Sequence, residues 1–141
     1  MKTVYFDASI IIASILSPTG GSSALIDKVK SSDILGITSQ TVINEILSHS
    51  YKIRRSSKEI FEYIQENKLI VRNRINLSDI ETIKNLMIDV DDAHVFVGAT
   101  LTKSDYLVSL DKKHILATQI KAKFPHLHIL SPKELLEILR K

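Results

Sequence analysis

Short apolar segments alternate along the chain with longer amphipathic ones. The first, Thr3–Phe6, is β-branched and aromatic and predicts a buried strand. Four further strands are predicted at Ile34–Ile37, Leu69–Val71, Tyr106–Leu110 and Leu127–Leu130. Helical patterns separate these runs, and no Asn-Gly or Asp-Gly turn joins them as hairpins. The pattern predicts a three-layer α/β/α sandwich with a central, mainly parallel sheet.

Several of the intervening segments carry the polar residues that begin helices. Thr38-Ser39 is expected to cap a helix that holds Glu45 beside its apolar stripe. Ser56 and Glu59, Ser78 and Glu81, and Ser131 and Glu134 have the spacing of capping boxes, the last with Pro132 at the first helical position. Other helices are predicted at Ser9–Leu16, from Ser22 or Ser23, at Ala93–Lys103 and from about His114 to Phe124.

Length and composition are those of an ordinary globular chain. With 141 residues, 44% hydrophobic and 25% charged, the sequence predicts a single domain over residues 1–141. The absence of cysteine excludes a disulfide framework, a thiolate metal site and a cysteine nucleophile, and it is compatible with a reducing cytoplasm. Because Asp7 and Ser9 interrupt the first apolar stretch, neither a secretory signal nor a membrane span is expected.

The net charge of +3 is mildly basic and permits a polyanionic partner without establishing one. Two clusters of cations are candidates for contact with phosphate groups. A solvated helix end and a solvated turn explain them equally well. The clusters are Lys52, Arg54 and Arg55, and Lys112 and Lys113.

Acidic residues follow the first and the fourth predicted strands. Asp7 comes directly after Phe6, and Asp111 ends the run that begins at Tyr106. Because the carboxyl ends of parallel strands open into the ligand crevice, these acids are expected to face a site. With Glu45 and Asp92 they form a set of oxygen ligands suited to Mg²⁺ or Mn²⁺.

Each acid also has a structural explanation. Asp7 could cap the following helix, and Glu45 could be a surface acid of an amphipathic helix. Asp91 and Asp92 stand where helix N-termini favour acids, so we assign Asp92 as a metal ligand and Asp91 as a cap or a group behind the ligands. His94 is expected to point away from the metal.

Other chemistries lack their motifs. The sequence has no Gly-x-Gly-x-x-Gly, no phosphate loop and no serine-hydrolase elbow. A phosphoaspartyl transferase would usually carry a second acid two residues after the first, where this chain has Ser9.

The four acidic motifs, taken in order, resemble those of the PIN domain. They are Phe6-Asp7-Ala8-Ser9, Glu45 in the helix after Thr38-Ser39, Asp92 at the start of Asp92-Ala93-His94, and Asp111 after Leu107-Val108-Ser109-Leu110. The resemblance implies a Mg²⁺- or Mn²⁺-dependent ribonuclease, best known in VapC toxins, which dimerise and are inhibited by a small antitoxin protein. Ser9 stands where asparagine is also frequent, and Ser109 where threonine is usual. Both serines keep a polar side chain and would orient the metal ligands by hydrogen bonds without binding the metal themselves.

Three functions follow as hypotheses. The first is a metal-dependent endoribonuclease with Asp7, Glu45, Asp92 and Asp111 as catalytic metal ligands, for which the toxin of a VapBC-type pair is one role. The second is a PIN-fold module that processes or binds RNA or protein with no toxin role or with little turnover. The third is a metal-dependent phosphatase that acts on small phosphate esters.

Overall fold

The computed structural model describes residues 1–141 and contains a five-stranded parallel sheet in the order β3-β2-β1-β4-β5. The strands are β1 (Thr3–Phe6), β2 (Leu35–Ser39), β3 (Ile70–Arg72), β4 (Tyr106–Val108) and β5 (His128–Leu130). All four neighbouring pairs are parallel, with Tyr5 opposite both Ile37 and Leu107. The prediction of a parallel α/β/α sandwich is therefore confirmed.

Nine α-helices connect and cover the strands. They are α1 (Ala8–Leu16), α2 (Gly21–Lys30), α3 (Gln40–Ser48), α4 (Ser50–Ile53), α5 (Ser57–Glu66), α6 (Leu77–Ile83), α7 (Ala93–Leu101), α8 (Thr118–Lys121) and α9 (Pro132–Arg140). One cluster of 31 buried apolar side chains fills the space between the sheet and the helices. No single helix is long and apolar enough to cross a membrane; only α1 and α2 taken together reach that length, and they are bent by 100°.

Helix starts follow the sequence closely where the cap is well defined. Ser39 accepts a hydrogen bond from the Val42 amide, and capping boxes form at Ser56 and at Ser131. Helix α7 is buried along residues 93–99, as its apolar composition predicts, because it lies between the sheet and neighbouring helices.

Three local predictions are wrong. The Ser78–Glu81 capping box does not form: α6 begins at Leu77, its N-cap Asn76 makes no side-chain bond, and Glu81 pairs with Lys84 at 2.7 Å. Helix α6 buries no residue fully, and Ile83 alone packs partly buried against the core, so packing holds its register only weakly.

The predicted helix from His114 to Phe124 is reduced to the single turn α8. The Asp111 carboxylate accepts the amides of Lys113 and His114, which holds the preceding residues in a turn. Strand β4 also ends earlier than predicted, at Val108, and Asp111 lies three residues beyond it.

A candidate metal site at the carboxyl edge of the sheet

Asp7 is positioned by hydroxyl groups at the ends of two neighbouring strands. It is the N-cap residue of α1, yet its side chain makes no capping bond. Instead its Oδ2 accepts hydrogen bonds from the Ser9 hydroxyl at 2.8 Å and the Ser109 hydroxyl at 2.7 Å. The side chain is buried, and this burial raises its pKa, while the two hydroxyls lower it and the charge of Glu45 raises it further.

The same serines tie the segment after β4 to the end of β1. The Ser9 oxygen accepts the Leu110 amide at 3.1 Å, and the Ser109 oxygen accepts the Asp111 amide at 3.0 Å. Each hydroxyl proton is therefore directed to Asp7 while the oxygen lone pairs hold the backbone that carries Asp111. The geometry fixes Asp7 and Asp111 relative to each other.

Asp111 is in turn held by its own turn. Its Oδ1 accepts the amides of Lys113 and His114, and its Oδ2 lies 3.2 Å from His114 Nδ1. This side chain is half-buried. Its orientation is set by three groups that lie within three residues along the chain.

Asp92 lacks such partners. Its Oδ2 is buried and has no hydrogen bond. Burial raises the pKa of Asp92 to about 7; the charges of Asp89, Asp7 and Asp111 add to the rise, and His114 offsets part of it. A carboxyl whose pKa is raised by three other carboxylates lies in a concentration of negative charge, which a cation would relieve.

Asp89 and His114 complete this group, and neither is a predicted ligand. Ligand atoms of Asp89, Asp92 and His114 lie within 4.8 Å of one another. Asp89 also accepts the Asp91 amide, which makes it the cap of the turn Val90–Asp92. The capping role considered for Asp91 therefore belongs to Asp89, and Asp91 is exposed.

Glu45 reaches the site from helix α3 and is the most open of the four predicted acids. Its side chain is 43% exposed, and its Oε2 lies 3.4 Å from His94 Nε2. His94 therefore contacts a predicted ligand, but it is not part of the group of ligand atoms that come together around Asp92, so its exclusion from the metal site stays a prediction. The His94 ring is buried, and its Nδ1 has no partner.

The predicted cationic clusters lie at different distances from the acids along the chain. Lys112 and Lys113 directly follow Asp111 and are exposed beside it. Lys52 and Arg54 are exposed on and after α4, with the Lys52 ammonium 5.8 Å from the Tyr51 ring centre. Arg55 is also exposed, at the start of the segment that leads to α5.

The donor set fits a hard divalent cation. Carboxylate oxygens dominate it, a buried oxygen of Asp92 lacks a partner, and two imidazoles, those of His114 and His94, lie beside the carboxylates. Oxygen ligands suit Mg²⁺ and Mn²⁺, whereas sites rich in histidine or thiolate suit softer metals.

The fold is an α/β/α sandwich with a parallel sheet, and its acids gather at the carboxyl edge of that sheet. In folds of this class the ligand crevice lies at the carboxyl ends of the strands. The PIN domain family model matches residues 3–113, and the chain belongs to that family. None of the curated proteins shows a significant sequence match to it.

Two solved structures share the fold at low sequence identity. VapBC2 from Rickettsia felis, crystallised with a DNA fragment from its promoter, has 13% identity and a TM-score of 0.63, with 92% of this chain and 98% of that chain covered. The Mycobacterium tuberculosis toxin VapC20, which cleaves the sarcin–ricin loop, has 12% identity and a TM-score of 0.56, with 78% and 91% covered. The fold is that of VapC-like PIN domains.

Proposed function

We propose that this protein is a divalent-metal-dependent endoribonuclease whose ligands are Asp7, Glu45, Asp92 and Asp111. The observation that carries the proposal is the contrast within one acidic cluster: Asp7 is held by two serine hydroxyls, while Asp92 has an unpartnered buried oxygen among like charges. Such an arrangement is costly without a cation. Membership of the PIN family and the likeness in fold to an RNA-cleaving toxin support RNA as the substrate.

The residues have distinct roles in this mechanism. Asp7 and Asp111 form the rigid side of the site because Ser9 and Ser109 orient the first and position the backbone of the second. Asp92 and Glu45 supply the remaining negative charge, and Asp89 and His114 stand beside Asp92 as additional ligands or proton carriers. A bound Mg²⁺ or Mn²⁺ ion would lower the pKa of a coordinated water and neutralise charge on the leaving oxygen.

Single-stranded or looped RNA is the preferred substrate class in this proposal, since an extended strand lets the scissile phosphate reach a recessed site. Lys112 and Lys113, exposed beside Asp111, would contact neighbouring phosphates. Lys52, Arg54 and Arg55 remain candidates for the same role at a second position.

Cleavage of a mixed-sequence RNA in Mn²⁺, Mg²⁺ and EDTA tests the proposal. The wild-type protein should cleave only with metal. An Asp7→Asn protein purified identically should lose at least about 100-fold in rate, because removal of a group that merely orients a ligand already costs about 10–100-fold. A folded Asp7→Asn protein with full metal-dependent cleavage would contradict the mechanism.

The two alternatives give different results in the same assay. A binding module would retain RNA without cleaving it and would be indifferent to EDTA. A phosphatase would hydrolyse a chromogenic phosphate ester in a metal-dependent way and leave the RNA intact.

We further propose that the protein is the toxin of a VapBC-type pair, acting in the cytoplasm as a homodimer restrained by a small antitoxin. The likeness in fold to VapC proteins supports this role. Tyr51 is 73% and Phe61 48% exposed, so both are candidates for a dimer or antitoxin surface. Tyr63 is less suited, since it is partly buried and donates a hydrogen bond to Ser14 at 2.8 Å. Growth arrest on expression that is abolished by Asp7→Asn would support the toxin role, and unaffected growth with active enzyme would contradict it.

A further inference from the structure

A basic groove lies between helix α7 and the loop after strand β3, outside the acidic site. Its volume is about 470 Å³, within the range of small-ligand sites. Three cations line it: Arg72, Arg74 and Lys103. None of them forms an ion pair within the protein, and Asp79 is the one acid that lines the groove. The groove therefore presents an excess of positive charge that no protein group neutralises.

The floor of the groove contains a polar group without a partner. Tyr5 is fully buried beneath it, and its hydroxyl, which lies near the Ser39 hydroxyl, makes no hydrogen bond of good geometry. The hydroxyl fits against α7 only because residue 98 is glycine: a Cβ there would overlap the Tyr5 hydroxyl oxygen. An unsatisfied buried hydroxyl is costly, so a phenol retained at this position is a donor available to something that enters the groove.

The strand register places one end of the groove at the same sheet edge as the acidic site. Tyr5 is opposite Ile37, so Asp7 is level with Ser39, which is paired with Arg72. Strands β1 and β3 are separated by one strand, a distance of about 10 Å. The loop that follows Arg72 is anchored to α3, the helix of Glu45, because the Ile75 amide donates to Thr41 Oγ1 at 2.9 Å.

We propose that this groove binds the RNA substrate, with Arg72 and Arg74 contacting phosphates next to the one at the acidic site and Lys103, beyond the far end of α7, contacting a phosphate further along the strand. This inference rests on the proposed RNA substrate. The groups that line the groove complement those of a nucleotide. The cations suit phosphate, the side-chain amides of Asn73 and Asn76 and the Tyr5 hydroxyl offer polar contacts, and the exposed Leu101 offers an apolar surface for a base or ribose face. A strand that crosses the sheet edge from Asp7 enters the groove at Arg72.

RNA binding in EDTA, at several salt concentrations, tests this role without turnover. The variant carries Arg72→Ala, Arg74→Ala and Lys103→Ala; the matched control carries Lys30→Ala, Lys133→Ala and Arg140→Ala, three exposed cations on α2 and α9. The groove variant should bind single-stranded RNA at least about tenfold more weakly, and its salt slope should be smaller by about 2, since each phosphate contact contributes about 0.7. Equal binding by the two triple variants would overturn the proposal, and an acidic protein segment would then be the better candidate to bind the groove cations.

Tyr5→Phe separates a binding role from a structural one. Because the hydroxyl has no partner in the free protein, its removal should leave the thermal midpoint of the free protein unchanged or raised. RNA affinity should fall by about three- to tenfold, the usual range for one lost hydrogen bond. A lowered midpoint with unchanged RNA affinity would contradict the role assigned to Tyr5.

A free mononucleotide is the other source of the same chemistry. Titration of adenosine monophosphate into the wild-type and groove-variant proteins distinguishes the two occupants. If the mononucleotide bound tightly only to the wild-type protein while the groove substitutions left RNA binding unchanged, RNA would be rejected as the occupant. RNA binding that depends on the groove, without any cleavage, would contradict the nuclease function and support the groove as an RNA site. Cleavage together with RNA binding that does not depend on the groove would support the nuclease function and contradict the groove as an RNA site.

Discussion

The two sides of the acidic site differ in how their carboxylates are held. On the strand side, Asp7 accepts two serine hydroxyls and Asp111 accepts two amides. On the helix side, Asp92 has a buried oxygen without a partner, and the nearby His94 has a ring nitrogen without one. The strand side is organised by the protein alone, whereas the helix side carries uncompensated charge. The difference indicates that the proposed cation would contribute most on the helix side.

The largest expected effect comes from replacing Asp92, and not its neighbour Asp91, on the helix side. Asp92→Asn should reduce metal-dependent RNA cleavage at least about 100-fold, because it removes a ligand and not merely a group behind one. Asp91→Asn, the matched control on an exposed neighbour, should change the rate less than about twofold. Rates under single-turnover conditions measure both. Equal losses in the two variants would contradict the assignment of Asp92 and show that both acids act in the site.

A smaller effect is expected on the strand side. Ser109→Ala removes a hydroxyl that donates to Asp7 and accepts the Asp111 amide, so cleavage should fall by about 10–100-fold. Ser109→Thr keeps the hydroxyl and should restore most of the rate. Mn²⁺ affinity, measured in parallel, should follow the same order. If alanine and threonine behaved alike, the hydroxyl would have no part in organising the site.

The smallest effect is a dependence of stability on pH in metal-free protein. The folded-state pKa of Asp92 is raised to about 7 from 3.8, so between these values the folded state binds a proton that the unfolded state does not. Stability therefore falls as pH rises across this window, by at most about 1 kcal/mol per pH unit after solvent screening, and levels off above the folded-state pKa.

Urea unfolding between pH 5 and 8 measures this slope. Asp92→Asn should flatten it, and saturating Mn²⁺ should offset it at pH 8 by stabilising the folded state. Stability that rose with pH over this range in the wild-type protein, with the same rise in Asp92→Asn, would show that Asp92 is not strained in the free protein.

The part of the site that lies near strand ends could be predicted from the sequence. Asp7 directly follows an apolar β-branched run, and strand ends of a parallel sheet meet at one edge, so its place there depends on local pattern alone. The serine caps at positions 39, 56 and 131 were equally local, because each satisfies backbone amides within three residues.

The helix side could not be predicted in the same way. This side of the site is built from segments that are far apart in the sequence. His114 lies with Asp89 and Asp92, and His94 contacts Glu45. Their side chains meet because α7 and the turn after β4 pack against the same sheet edge, which no short-range pattern encodes. The spacing of Asp89 and Asp92, one turn of a 3₁₀ helix, was the single available signal, and it is common in helix starts without a metal.

The failed capping box at Ser78 has a related cause. Local spacing predicts a cap only where packing holds the helix in register, and α6 buries none of its residues. At Ser131 the same motif succeeds because Pro132 and Leu135 are buried against the core.

Calorimetric titration of Mn²⁺ into the wild-type and Asp92→Asn proteins at pH 7, repeated in two buffers of different ionisation enthalpy, tests the central claim most directly. The pKa of Asp92 is raised to about 7, so part of the protein carries a proton on this carboxyl at pH 7. Binding should release that proton, and the substitution should remove both the proton release and most of the affinity. Absence of Mn²⁺ binding by the wild-type protein, or equal binding without proton release in both proteins, would contradict the account of a cation completing the helix side of the site.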